Sequence, residues 1–324
     1  MNETVLRVED LRTHFFTPSG VVRAVDGVSF SVRERETLGI VGESGSGKTM
    51  TALSILRMVP APAGKVVGGR ILLRGDDLLT KSEKEMQKIR GSRISMILQD
   101  PMTSLDPLFT IGDQLAEPIR IHQREGATSV QARVEEMLRL VTIPSPERRV
   151  HDYPHQMSGG MRQRIVGAIA LACQPELLIA DEPTTSLDVT IQAQFLALLK
   201  EVQRELGLAM IVITHDFGIV ARLCHRVAVM YAGRIVEEAD VRTLFRSPAH
   251  PYTIALLRAL PQLGRETERL FTIGGQPPDL RHPPAGCSFA PRCSKAIDVC
   301  RTEYPAQREV GEGHRVCCYV PSTK

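Results

Sequence analysis

At 324 residues, 43% hydrophobic and 24% charged, the chain has the make-up of a two-domain globular protein and is neither disordered nor collagen-like. Forty Lys and Arg against 37 Asp and Glu leave a net charge of only +3, so no basic field marks a nucleic-acid binder. Its apolar stretches, such as Ile165–Cys173, fall far short of the ~20 residues that cross a bilayer. Met-Asn-Glu-Thr opens no secretion signal, so a soluble cytosolic chain is expected.

In chain order, Val5–Val8, Val28–Val32 and Thr37–Val41 read as strands from their alternating or continuous apolar runs. A helix is expected from Lys48 to about Met58, ending before Pro60. Residues 84–145 hold helical stretches, notably Val130–Val141, broken by Pro101, Pro107, Pro118 and Pro144. There follow a helix over Met161–Ala172, a buried strand over Leu177–Ala180 and a helix over Ile191–Leu206. A strand at Met210–Thr214, a helix at Phe217–Leu223 and a strand at Val227–Tyr231 complete the alternation of a parallel sheet with helices on its faces. From about residue 247 prolines accumulate (Pro248, Pro251, Pro261, Pro277, Pro278), and a domain boundary is placed near residue 260.

Gly42-Glu-Ser-Gly-Ser-Gly-Lys-Thr49 fits G-x-x-x-x-G-K-[ST] and stands between an apolar strand and a helix. Its glycines let backbone N–H groups turn inward on phosphate oxygens, and the helix adds its positive N-terminal end. Lys48 is expected on the β- and γ-phosphates and Thr49 on Mg²⁺. Such a cradle needs a metal-holding carboxylate and a group that positions the attacking water. Asp181 and Glu182, at the C-terminal end of an apolar strand, are candidates for the two roles in that order. In Met157-Ser-Gly-Gly-Met-Arg-Gln-Arg164, Ser158, Gly159 and Gly160 open a second helix N-terminus able to take phosphate.

That last segment resembles the signature motif of ATP-binding-cassette (ABC) ATPases, and with it the chain from 5 to 245 resembles that family. The resemblance implies an α/β P-loop fold: a RecA-like parallel-sheet core, an antiparallel β subdomain and a helical signature subdomain at about 100–170, within residues 1–260. It implies head-to-tail pairing of two subunits, the signature of one closing over the ATP of the other. Gln99 matches the Q-loop glutamine that touches Mg²⁺ and water, and Asp188 in Ser186-Leu-Asp188 matches the D-loop. His215 matches the switch histidine, and Phe15, with Phe16 as the alternative, matches the aromatic that stacks on adenine. Gly42, Ser44, Gly45, Ser46, Gly47 and Met50 complete the implied nucleotide contacts.

Met96–Pro107, His155–Arg164 and Ser247–Pro261 look like the corresponding segments of dipeptide/oligopeptide importers, and Gly47–Arg57 looks like their D-type ATPase subunit. This implies a subunit at the cytoplasmic face of the membrane that powers uptake of di- or oligopeptides. Implied partners are a second, homologous ATPase subunit, two transmembrane permeases and, indirectly, an extracytoplasmic binding protein. Nickel, glutathione and oligosaccharide importers share the branch, and a soluble ABC ATPase outside transport is the reading from another class.

Five of the seven cysteines fall within residues 287–324; Cys173 and Cys224 are expected to be inert core thiols. Cys287-x₅-Cys293-x₆-Cys300-x₁₇-Cys318 matches the four-cysteine pattern near the C-terminus of these ATPases, which in some members holds a [4Fe–4S] cluster. Cys317 is then the spare. A Pro-rich segment over 261–324 with few apolar residues gains order from a thiolate-held metal, and zinc remains the alternative to iron.

Overall fold

The computed structural model describes residues 3–99, 104–123, 126–185, 187–260 and 271–322. The strands are β1 (Thr4–Thr17), β2 (Gly20–Arg33), β3 (Thr37–Val41), β4 (Gly64–Leu73), β5 (Asp76–Asp77), β6 (Ile94–Ile97), β7 (Leu177–Asp181), β8 (Ala209–Thr214), β9 (Arg226–Tyr231), β10 (Arg234–Asp240), β11 (Arg308–Gly311) and β12 (His314–Val316). The helices are α1 (Lys48–Ile55), α2 (Glu83–Ile89), α3 (Ile111–His122), α4 (Ala127–Leu140), α5 (Pro146–Arg149), α6 (Gly159–Leu171), α7 (Val189–Leu206), α8 (Phe217–Leu223), α9 (Val241–Arg246), α10 (Pro251–Arg258) and α11 (Val299–Thr302). The chain forms two compact units: Met1–Arg7, Ser31–Thr37 and Leu72–Ile213, and Val8–Phe30, Leu38–Ile71 and Thr214–Lys324.

In the first unit β6, β7 and β8 run parallel, with Ile94 opposite Leu177 and Leu177 opposite Ala209. Every residue of β7 and β8 is buried, which is why these strands read as unbroken apolar runs: a parallel strand is covered on both faces. Helices α3, α4 and α6 pack on one another, burying Leu115, Ile119, Leu138 and Ile165. Pro118 does not break a helix as expected from its sequence but lies inside α3. The buried stripe Ile111, Leu115, Ala116 and Ile119 outweighs the hydrogen bond that the proline forfeits.

In the second unit β2, β1 and β4 form an antiparallel sheet in that order. The first two expected strands are pieces of these 14-residue elements. Asp10 takes a left-handed φ of 46° inside β1 and its N–H bonds Ser29 Oγ at 2.8 Å, so the inward–outward alternation changes there and a reading by period stops short. A mixed sheet follows in the order β11-β12-β10-β9-β3, with β3 and β9 parallel and the rest antiparallel. Its core gathers Val41, Val229, Tyr231, Tyr252 and Phe289. The C-terminal stretch is thus sewn onto the same core as residues 214–260: Glu237 pairs with Val316, and Cys317 N donates to Val236 O at 2.8 Å.

Candidate functional site

Residues 42–49 turn between β3 and α1. Gly47 caps α1 at φ 102°, and a Cβ there would meet Ala24 O at 2.3 Å, so only glycine fits. Lys48 is 6% exposed, and its Nζ donates to the carbonyls of Gly42 (2.9 Å) and Glu43 (3.0 Å). Ser46 N donates to Glu43 O at 3.2 Å, while Ser46 Oγ is buried with no hydrogen-bond partner. Ser44 and Gly45 are exposed and Thr49 and Met50 half-buried around the first turn of the helix. A cationic head, a helix N-terminus and an unsatisfied hydroxyl in one turn form a cradle for an anion. Phe15 is half-buried in the same unit; Phe16 is 48% exposed, with Lys65 Nζ 5.8 Å above its ring. His215 is exposed immediately after β8, ahead of helix α8, which Asp216 caps through Gly218 N (2.6 Å).

The other candidates belong to the first unit. Asp181 closes β7 at 2% exposure. Glu182 follows in the left-handed region (φ 44°), a conformation that costs a non-glycine residue about 1–2 kcal/mol. Glu182 N donates to Ile213 O at 2.8 Å, and its carboxylate accepts from Thr185 Oγ1 (2.9 Å) and Gln99 Nε2 (3.4 Å). Glu182 thus holds a left-handed backbone at the C-terminal end of a parallel strand, the edge where ligands sit in open α/β sheets. Gln99 and Glu182, 83 residues apart in sequence, are therefore brought into contact. Ser158 caps α6 through Met161 N at 3.3 Å, with Gly159 and Gly160 in its first turn. Asp188 caps α7 through Thr190 N and Ile191 N, both at 3.0 Å. Ser186 and residues 100–103 of the Met96–Pro107 motif lie outside the described residues. A groove of about 850 Å³ opens beside α3, lined by Phe109, Asp113, Glu117, Arg120 and Ile121 among others. Leu108 (80% exposed) and Ile121 (65%) stand open to solvent in the same region.

In the second unit Cys287, Cys293, Cys300 and Cys318 all line one small cavity of about 20 Å³, and Cys317 does not. Cys287 N donates to Cys300 O at 2.8 Å, which closes the loop between them. Even so, among the described residues no three Cys, His, Asp or Glu side chains stand in a metal-holding arrangement. The four thiols share a pocket without being drawn into a coordination shell. Burial pushes the thiols of Cys287 and Cys293 up, and that of Cys318 to about 11, as expected of protonated sulfur in apolar surroundings. His250 lines the same cavity: Nδ1 accepts Tyr252 N–H at 3.0 Å, while Nε2 is buried with no partner. The cavity lining thus gathers four thiols and one unpartnered ring nitrogen, donor types that thiolate-held centres use, without the spacing of a coordination shell.

Reading the sequence missed a set of charged residues beneath these features. Arg292 forks onto the Glu43 carboxylate (2.7 and 3.0 Å), and Tyr252 Oη accepts Glu43 N–H at 2.9 Å. Glu237, 1% exposed, accepts from Ala249 N, His250 N and His314 Nε2. The available signals were an acid inside an anion-binding loop and an arginine beside Cys293.

Comparison with known proteins agrees with this geometry. Residues 25–185 match the family model "ABC transporter", and residues 236–300 match "Oligopeptide/dipeptide transporter, C-terminal region". The chain is 54% identical over 319 residues to a probable peptide ABC transporter ATP-binding protein of Sinorhizobium fredii, covering 98% of this chain and 95% of that one. It is 51% identical to the dipeptide transport ATP-binding protein DppD of Bacillus subtilis (98% and 95% covered) and 46% identical to DppD of Escherichia coli (98% and 97%). Among solved structures, the dimeric bacterial ABC transporter cassette MJ0796 superposes with a TM-score of 0.64 at 27% identity, over 73% of this chain and 99% of that chain.

Proposed function

The chain belongs to the ABC transporter family and hydrolyses ATP, and on that premise we propose that it powers the import of di- or oligopeptides through a membrane transporter. The observation that carries this reading is identity of 46–54% over nearly the full length to peptide-transport ATP-binding proteins, C-terminal region included. Transport implies membrane permease partners. In this reading the membrane path belongs to those permeases; among the described residues of this chain no helix is long and apolar enough to cross a membrane. The groove beside α3, with Leu108 and Ile121 exposed, suits an amphipathic cytoplasmic helix of a permease. In this reading the subunit sits at the cytoplasmic face, pairs with a homologous ATPase subunit and responds indirectly to an extracytoplasmic binding protein.

Within the ATP site, the 42–49 loop and Lys48 hold the phosphates and Phe15 stacks on adenine. Thr49, Gln99 and Asp181 would hold magnesium, which when bound neutralises charge on the terminal phosphates. Glu182 orients the attacking water and accepts its proton; its strained backbone and its bonds to Gln99 and Thr185 support that role. His215 contacts the terminal phosphate, Ser158–Gly160 present their helix end to the partner subunit's ATP, and Asp188 faces the subunit interface. Cys287, Cys293, Cys300 and Cys318 would hold a [4Fe–4S] cluster, or zinc in its place, as a structural cross-link of a Pro-rich segment. One experiment addresses substrate: ATP hydrolysis by the reconstituted transporter with binding protein loaded in turn with peptide, nickel, glutathione or oligosaccharide. Stimulation by peptide alone is expected, and stimulation by another class alone overturns the substrate. Iron, acid-labile sulfide and zinc per anaerobically purified chain decide the centre: about four irons and four sulfides are expected, and absence of all metal removes it.

A further inference from the structure

We infer that Arg292, on the cysteine-flanked C-terminal segment, is a positioning residue for the phosphate loop. It holds and neutralises the Glu43 carboxylate, so that the C-terminal segment sets how tightly the loop takes ATP. The inference rests on the reading of residues 42–49 as the ATP loop.

The loop gathers N–H groups and a helix N-terminus because its ligand is an anion, and a carboxylate as its second residue opposes that ligand. Arg292 removes the opposition. Its Nη1 donates to Glu43 Oε2 at 2.7 Å and its Nη2 to Oε1 at 3.0 Å, the parallel fork that suits a guanidinium. The arginine is itself fixed. Nε donates to Gly274 O at 3.0 Å, Nη1 also reaches Tyr231 Oη at 3.3 Å, and only 5% of the side chain is exposed. The guanidinium is shielded while the Glu43 side chain is 26% exposed, so salt screens the pair only in part.

Glu43 is also the loop's mechanical node. Its N–H is held by Tyr252 Oη (2.9 Å), and its carbonyl accepts from Lys48 Nζ (3.0 Å) and Ser46 N (3.2 Å). Lys48 must exchange these carbonyl partners for phosphate oxygens, so the Glu43 backbone, which Tyr252 holds, sets the starting position of the binding lysine, and Arg292 governs the charge that the Glu43 side chain adds there. Arg292 lies between Phe289, packed in the core with Tyr231 and Tyr252, and Cys293, which lines the cysteine cavity. Order in that segment is thereby linked to the loop. Linkage is reciprocal, so ATP must in turn order the segment.

The test is equilibrium binding of Mg-ATP to the full-length chain. R292A, with its exposed carboxylate, is expected to bind about tenfold more weakly, within the 5–150-fold range usual for coupled sites. The double variant R292A/E43Q is expected to return to within about twofold of the parent. A general loss of structure would not be rescued by a second substitution. ATP should also slow hydrogen exchange over residues 287–300 in the parent and not in R292A. Unchanged affinity in folded R292A, or a double variant no better than R292A, overturns the proposal. If R292A does not fold, E43Q alone decides: tighter ATP binding upholds the proposal, while unchanged or weaker binding overturns it. K48A is the control, since undiminished ATP binding there would remove the loop's assignment itself rather than the role of Arg292.

Discussion

Eight consecutive residues, 42–49, build the phosphate loop, whereas the cysteine-lined cavity draws on residues from His250 to Val320. The loop works mainly through backbone: N–H groups, two carbonyls holding Lys48, and a glycine that no other residue can replace. The cavity works through side chains delivered by segments that Phe289, β12 and Glu237 help tie to the sheet. A backbone site close to a strand end inherits the rigidity of the sheet. A side-chain site assembled from distant segments is only as firm as its ties.

That contrast is open to test, from the largest effect to the smallest. Glu182→Gln should lower steady-state ATP hydrolysis of the assembled transporter by about 10²–10⁴-fold while ATP stays bound, as measured by phosphate release; unchanged turnover would remove Glu182 from catalysis. Lys48→Ala should weaken ATP binding by roughly 10–100-fold, the loss of a charged hydrogen bond to phosphate, with a smaller effect on the melting temperature of the chain. Glu237→Gln should do the reverse, destabilising the chain by about 1–3 kcal/mol in a thermal melt because a buried acceptor of three donors is replaced in part by a donor.

Glu237 also carries a pH signature. Burial raises its pKa, but the bonds from His314 and from the Ala249 and His250 amides outweigh burial and hold it below its ordinary 4.5. Its folded-state pKa is depressed, so its stabilisation is complete above about pH 4.5 and is lost as pH falls through the depressed value. Melts from pH 7 to 3 should show this acid-side loss in the parent and less of it in Glu237→Gln. The smallest effect is expected at Cys224, which burial pushes up to about 12. It should resist alkylation at pH 8 in the folded chain by mass spectrometry, and rapid labelling would show that the second unit opens locally.

Much of the site was legible because its motifs are local. The G-x-x-x-x-G-K-T run, the acid pair after β7 and the Ser-Gly-Gly helix start each express their chemistry within a few residues. Less was legible where the period breaks or the partner is remote. Asp10 hid the true length of β1, and packing carried α3 through Pro118. β10 and the β11–β12 hairpin escaped notice although each has a pairing partner adjacent in sequence: β10 buries two acids, Glu237 and Glu238, and β11 is mostly exposed, so neither shows the apolar pattern of a strand. The cysteine spacing pointed to a common pocket, which the structure forms, and to a metal shell, which its described side chains do not.

The sequence by itself determined the phosphate loop, the acid pair, the helix caps and the alternation of strand and helix, because each follows from backbone freedom, capping chemistry or apolar period over a short window. Only the tertiary structure decided that Gln99 meets Glu182, that Glu237 anchors the C-terminal strands and that Arg292 reaches Glu43 across 249 positions. Those pairings depend on which surfaces are buried together, and burial is a property of the whole packed unit rather than of any stretch of chain.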